Sequence, residues 1–92
     1  MPHYVLRLYV TGMTPRSSRA IANAKAICEQ HLEGRYDLRI IDLYQQPART
    51  RADQIVVAPM LIKQLPLPAR RIVGDLADTG RALLALDLKL AV

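Results

Sequence analysis

The stretch Val57-Ala58-Pro59-Met60-Leu61-Ile62 constrains this chain more than any other. A proline has no N–H to give to a β-ladder, so in front of an apolar run it belongs at the first residue of a strand. Proline is also the residue for which a cis peptide costs least, which makes Pro59 a candidate for a structural cis bond. The run is followed by Leu65-Pro66-Leu67-Pro68-Ala69-Arg70-Arg71-Ile72-Val73-Gly74-Asp75. A strand from Pro59, a proline-punctuated turn and a second strand ending at Gly74 predict a β-hairpin. That hairpin needs a sheet to join.

The N-terminus supplies one. Tyr4-Val5-Leu6-Arg7-Leu8-Tyr9-Val10 is almost continuously apolar and β-prone, the pattern of a strand covered on both faces. After a loop, Thr14 is placed to cap a helix whose first residue is Pro15, where the missing N–H costs nothing. Ala20, Ile21, Ala24, Ile27, Cys28 and Leu32 recur at helical spacing, and Gly34 is the expected stop. A second strand is expected from Tyr36 to Tyr44, making a βαβ unit with parallel strands. A proline-opened strand facing an N-terminal strand and loop is how thioredoxin-like α/β domains are built. Pro47 opens a short, marginal helix through Ala52, and Ile55-Val56-Val57 is equally suited to a strand.

The tail fits two templates. Leu84, Leu86, Leu88, Leu90 and Val92 alternate with Ala85, Asp87, Lys89 and Ala91, as in a strand. Leu76, Leu83, Leu86 and Leu90 also line one helical face, and leucine and alanine favour helix. A segment so evenly matched to two structures is a candidate for adopting both.

The chain's 92 residues, about half of them apolar, are expected to form one domain spanning 1–92. Cys28 is the single cysteine, so an intrachain disulfide is excluded and a reducing, cytoplasmic home is expected. No apolar run reaches the ~20 residues that span a bilayer, and no secretory pattern opens the chain. At the position of a thioredoxin-type redox motif stands Gly12-Met13-Thr14-Pro15, which has no thiol and cannot exchange disulfides. Cys28 falls on the apolar helix face and reads as core. His3 and His31 lack partners at metal-ligand spacing, and no phosphate loop or nucleophile elbow is present. No enzyme, cofactor or metal is expected.

What remains is charge. The net +5 favours an acidic partner. Arg19 is placed in the first helix, Arg39 in the second strand, and Arg70 and Arg71 in the hairpin. A lone surface arginine is ordinarily just solvated, whereas convergence of these four would mark an interface. A small nucleic-acid-binding domain is the alternative class. It would need exposed aromatics for stacking, and the tyrosines fall mainly in strands expected to be core.

Together, Tyr4 to Val10, Gly12 with Thr14-Pro15, Ser17 with Arg19-Ala20, Ile41-Asp42, Ala58-Pro59, Leu65-Pro66, Pro68, Arg70-Arg71-Ile72, Gly74-Asp75-Leu76, Asp78 and Leu86-Asp87-Leu88 resemble the KaiB proteins of the bacterial circadian clock. The resemblance implies a non-enzymatic regulator that docks on the hexameric ATPase KaiC, and captures KaiA or competes with a KaiC-binding sensor kinase. It implies two folds. One is a monomeric, binding-competent thioredoxin-like form of order βαβαββα; the other is a resting homotetramer of order βαββααβ. Nucleic acid and membrane are not implied as partners. Family positions for partner contact match Arg19, Arg39, Arg70 and Arg71, and the fold-switch region matches Ala85 and Asp87. Met13, Met60, Leu67 and Ala85 stand where the family usually has other residues, which opens a second reading as a paralogue in stress signalling. Ala85 replaces a glycine inside the expected final helix, so the thioredoxin-like form is the one expected here.

Overall fold

The first strand, β1 (Tyr4–Val10), lies at the centre of a four-stranded sheet of order β2-β1-β3-β4. The computed structural model describes residues 3–55 and 57–88. Thr14 accepts a hydrogen bond from the Ser17 N–H at 3.1 Å and starts α1 (Pro15–His31) with proline in its first turn. The helix ends where the Leu32 N–H closes on the Cys28 carbonyl. β2 (Tyr36–Asp42) then runs parallel to β1. It stops at Asp42 rather than Tyr44. The Asp42 carboxylate accepts from the Gly12 N–H at 3.0 Å and the Tyr44 N–H at 2.9 Å, which turns the chain off the sheet.

The short α2 (Ala48–Ala52) buries none of its residues. Ile55 sits in no ladder; it is anchored by its N–H on the Thr50 carbonyl and by a buried side chain, while Val56 lies outside the described residues. The Ala58–Pro59, Leu65–Pro66 and Leu67–Pro68 peptides are cis. β3 (Met60–Leu65) runs antiparallel to β1, and β4 (Arg70–Val73) antiparallel to β3. Strand pairing thus starts at Met60, although Pro59 still contributes its carbonyl to the Gly74 N–H at 2.9 Å. Gly74 has φ +115°, a conformation that side-chain-bearing residues rarely adopt. Asp78 caps α3 (Thr79–Ala85) by accepting from the Arg81 N–H. The order is βαβαββα.

Alternation sorts β1 onto two faces. Tyr4, Leu6, Leu8 and Val10 pack with Ala20, Ala24, Ile27, Cys28, Leu76, Ala82 and Leu86, so α1 and α3 share one face. Tyr9, Ile41, Met60 and Ile62 point the other way and pack with Leu43 and Ile55 beside α2. In the tail the helical template wins as far as the chain is described. Ala82 and Leu86, four apart, are both fully buried, whereas Leu84 is exposed, and residues 86–88 form a turn rather than a strand. The alternation beyond Leu88 lies outside the described residues.

Candidate partner-binding surface

The arginines singled out in the sequence do not form one cluster. β2 and β4 are opposite edges of the sheet, which separates Arg39 from Arg70 and Arg71. The register aligns Arg39 with Arg7, Arg7 with Ile62, and Ile62 with Arg71. Arg39 and Arg71 therefore rise from the same face, about 14 Å apart at the backbone for three strand spacings. Arg70 aligns with Lys63 and Leu6 and rises from the other face. The Arg70-Arg71 pair is thus divided by the pleat.

The α2 face is organised by Asp53. Its carboxylate accepts the Tyr9 O–H at 2.6 Å and an Arg49 N–H at 3.3 Å, with Arg7 at 3.9 Å. The Tyr9 hydrogen bond, helped by the two guanidinium groups, holds the Asp53 carboxyl below its ordinary range. Burial, with the Asp53 contact, raises the Tyr9 phenol. Arg71 reaches across to the Gln54 carbonyl at 3.4 Å, and Arg39 stands 4.0 Å from Asp37, both exposed.

On the α1–α3 face a trough of about 720 Å³ runs between β4, the loop after Gly74 and α3. Arg16, Asp75, Asp78 and Arg81 line it over an apolar floor that includes Ile72 and Ala85. Arg19 borders it through Asp75, donating its Nε–H to Oδ2 at 3.1 Å. Asp75 is fixed on its other side: Oδ1 accepts the Ala77 N–H, and its carbonyl accepts from Asn23 Nδ2 at 2.8 Å. The Arg19 contact, then the Ala77 N–H, hold the Asp75 carboxyl below its usual range, with Arg16 adding to the effect. Leu76 follows at φ 65°, a left-handed position that a leucine holds only because its side chain is buried in the core. Of the four arginines, Arg71 is in the lining of this trough and Arg19 reaches its border through Asp75, while Arg39 and Arg70 take no part in it. Arg16 and Arg81 were missed in the sequence. Arg16 lies one residue beyond the cap-and-proline signal of α1, but nothing local links it to α3.

The position of a thioredoxin redox motif carries an exposed Met13. Cys28 is fully buried, and burial pushes its thiol up to about 12. Among the described residues no group of three or more His, Cys, Asp or Glu is gathered as a metal site, and no helix is long and apolar enough to cross a membrane. Tyr4 and Tyr9 are sealed in the core, and Tyr36 donates its O–H to Glu29. Tyr44, expected in a strand, is instead exposed in the turn after β2. The face that carries the arginine row thus lacks a stacking platform of several aromatics.

A KaiB domain model matches residues 7–88. The chain belongs to the KaiB family. It is 49% identical over 88 residues to the circadian clock protein KaiB3 of Synechocystis, covering 96% of this chain and 86% of that one. To the circadian clock oscillator protein KaiB of Nostoc punctiforme it is 49% identical over 85 residues, covering 92% and 82%. These relatives are named as clock proteins, not as enzymes. Its fold is similar to the N-terminal domain of Synechococcus elongatus SasA, with TM-score 0.73, 23% identity and coverage of 100% and 90%. It is also similar to mitochondrial thioredoxin 3 of Saccharomyces cerevisiae, with TM-score 0.72, 9% identity and coverage of 96% and 81%. This KaiB-family chain is therefore a thioredoxin-like α/β fold without a redox cysteine pair.

Proposed function

We propose that this single-domain KaiB-family chain is a non-enzymatic regulator that docks, in the fold described, as a monomer on a KaiC-family ATPase ring in the cytoplasm. There it captures a KaiA or displaces a KaiC-binding sensor kinase. The observation that carries the reading is a thioredoxin-like scaffold in a clock-protein family whose thiol chemistry has been removed. Its one cysteine is sealed on the buried face of α1, and Arg19, Arg39, Arg70 and Arg71 are exposed. Arg19, Arg39, Arg70 and Arg71 contribute the basic contacts. Because the pleat sends Arg70 and Arg71 to opposite faces, the partner grips the β4 edge from both sides or uses one of the two. A resting homotetramer forms when the second half, including Ala85 and Asp87, rebuilds its structure.

The experiment is co-sedimentation of the chain with the KaiC-type ATPase of its own genome, beside light scattering of the free chain. A complex is expected, weakened by more than about 1 kcal/mol in Arg70→Ala/Arg71→Ala if these are central contacts. Scoring the single variants tells which side of β4 faces the ring. Absence of a complex with a folded wild-type chain overturns the reading.

A further inference from the structure

We infer that the trough between the first turn of α1 and α3 receives an acidic segment of the protein partner, gripped by Arg16 and Arg81. This rests on the docking function proposed above and adds a surface to it. Arg16 and Arg81 make no ion pair among the described residues, although both line the same trough. Arg16 comes from the second position of α1 and Arg81 from the third of α3, so elements distant in sequence bring to one trough two guanidinium groups that no carboxylate holds at ion-pair distance, although Arg16 acts on Asp75 from farther off. The Arg16 guanidinium hangs over the loop at Gly74, where a Cβ would meet its Nη2 at 3.8 Å.

The two acids in the trough are already engaged. Asp75 is neutralised by Arg19 and by the Ala77 N–H, and Asp78 spends its Oδ1 on the Arg81 N–H as a helix cap. With Arg16, Arg71 and Arg81 in its lining and Arg19 at its border, set against Asp75 and Asp78, the trough carries net positive charge. A guanidinium offers a planar fork that matches a carboxylate with two parallel hydrogen bonds. The shape selects among anions. The trough opens to solvent, includes Ile72, Val73, Leu76 and Ala85 in its lining, and its volume suits several side chains rather than one small ion. An acidic stretch of polypeptide with an apolar neighbour fits it.

Two measurements test this. First, affinity for the KaiC-type ATPase is compared for Arg16→Glu/Arg81→Glu and for a charge-matched control, Lys25→Glu/Arg51→Glu, whose residues are exposed and outside the trough. The trough variant is expected to bind at least about tenfold more weakly and the control within about threefold of wild type. Equal losses in the two would reduce the effect to net charge and overturn the inference. Second, arginine Nε–Hε signals of the free chain are followed while acetyl-Glu-Leu-Glu-Glu-amide is added. Shifts concentrated at Arg16 and Arg81 support the trough; shifts spread evenly over Arg51 and the other exposed arginines overturn it. The titration needs no ATPase, so a chain that fails to bind the ring but takes the peptide here loses only the docking function.

Discussion

Tyr9 donates its phenolic O–H to Asp53 at 2.6 Å, and this bond fastens the end of α2 to the central strand of the sheet. Tyr9 is fully buried, so its hydroxyl must find a partner inside the fold, and Asp53 is placed where Arg7 and Arg49 keep it ionised. Tyr9→Phe is expected to cost about 1.5–3 kcal/mol, the range for a hydrogen bond to a charged group. The pH dependence follows from the same contact. Asp53 is held below its ordinary value of 3.8, so its contribution is complete above that pH and is lost as pH falls through the lower folded value. Tyr9 is raised above 10.0, so its share is complete below pH 10 and is lost on going higher. Urea titrations across pH should show both limbs flattened in Tyr9→Phe. Unchanged limbs would remove the pair from the account.

Asp75 holds Arg19 by accepting its Nε–H at 3.1 Å, a contact that does not use the two terminal nitrogens. Asp75→Asn removes a negative charge from the surface, which by charge alone strengthens binding of an acidic partner. The positioning role predicts the opposite, a loss of about threefold or more, because Arg19 is no longer held in place. The sign of the change in affinity for the ATPase decides between them.

Cys28 is expected to be silent. Its thiol is buried and pushed up to about 12, so a thiol reagent at pH 8 should label it only at the rate of global opening. Cys28→Ser should lower stability by about 1–3 kcal/mol, as for a buried polar atom left short of a partner, and leave partner affinity unchanged in the folded fraction. Rapid labelling of the native protein would contradict the packing described.

The tail separates a packing effect from a propensity effect. Leu86 is fully buried between α1 and the sheet, so Leu86→Ala is expected to cost about 2–5 kcal/mol. Ala85 is the last residue of α3 and is exposed, so Ala85→Gly should cost less than the roughly 1 kcal/mol of a helix interior. In the proposed equilibrium between two folds, that would move the ratio towards the proposed tetramer by less than about fivefold. NMR amide shifts with oligomer mass read both variants. A wild-type chain already fully tetrameric would show that Ala85 does not tip the balance.

Local chemistry fixed much of this protein before any tertiary contact. The unbroken apolar run from Tyr4 to Val10, the Thr14-Pro15 start of α1 and the proline-opened strand after Pro59 each act within a few residues, and each stands where the sequence placed it. The sealed Cys28 was legible for the same reason: a helical repeat states which side faces inward. The end of β2 was not, because the Asp42 carboxylate that turns the chain reaches back to Gly12 in another loop. The tail was equally undecided on its own. Helix won as far as Leu88 because Ala82 and Leu86 find an apolar surface already built by β1, β3 and α1. Strand register, which depends on pairing across long loops, sent Arg70 and Arg71 to opposite faces and set Arg39 at the far edge. The placement of Arg16 and Arg81 along one trough has the same origin. Residues 65 positions apart line one trough only when the sheet is complete, and no local pattern in the chain records that they will.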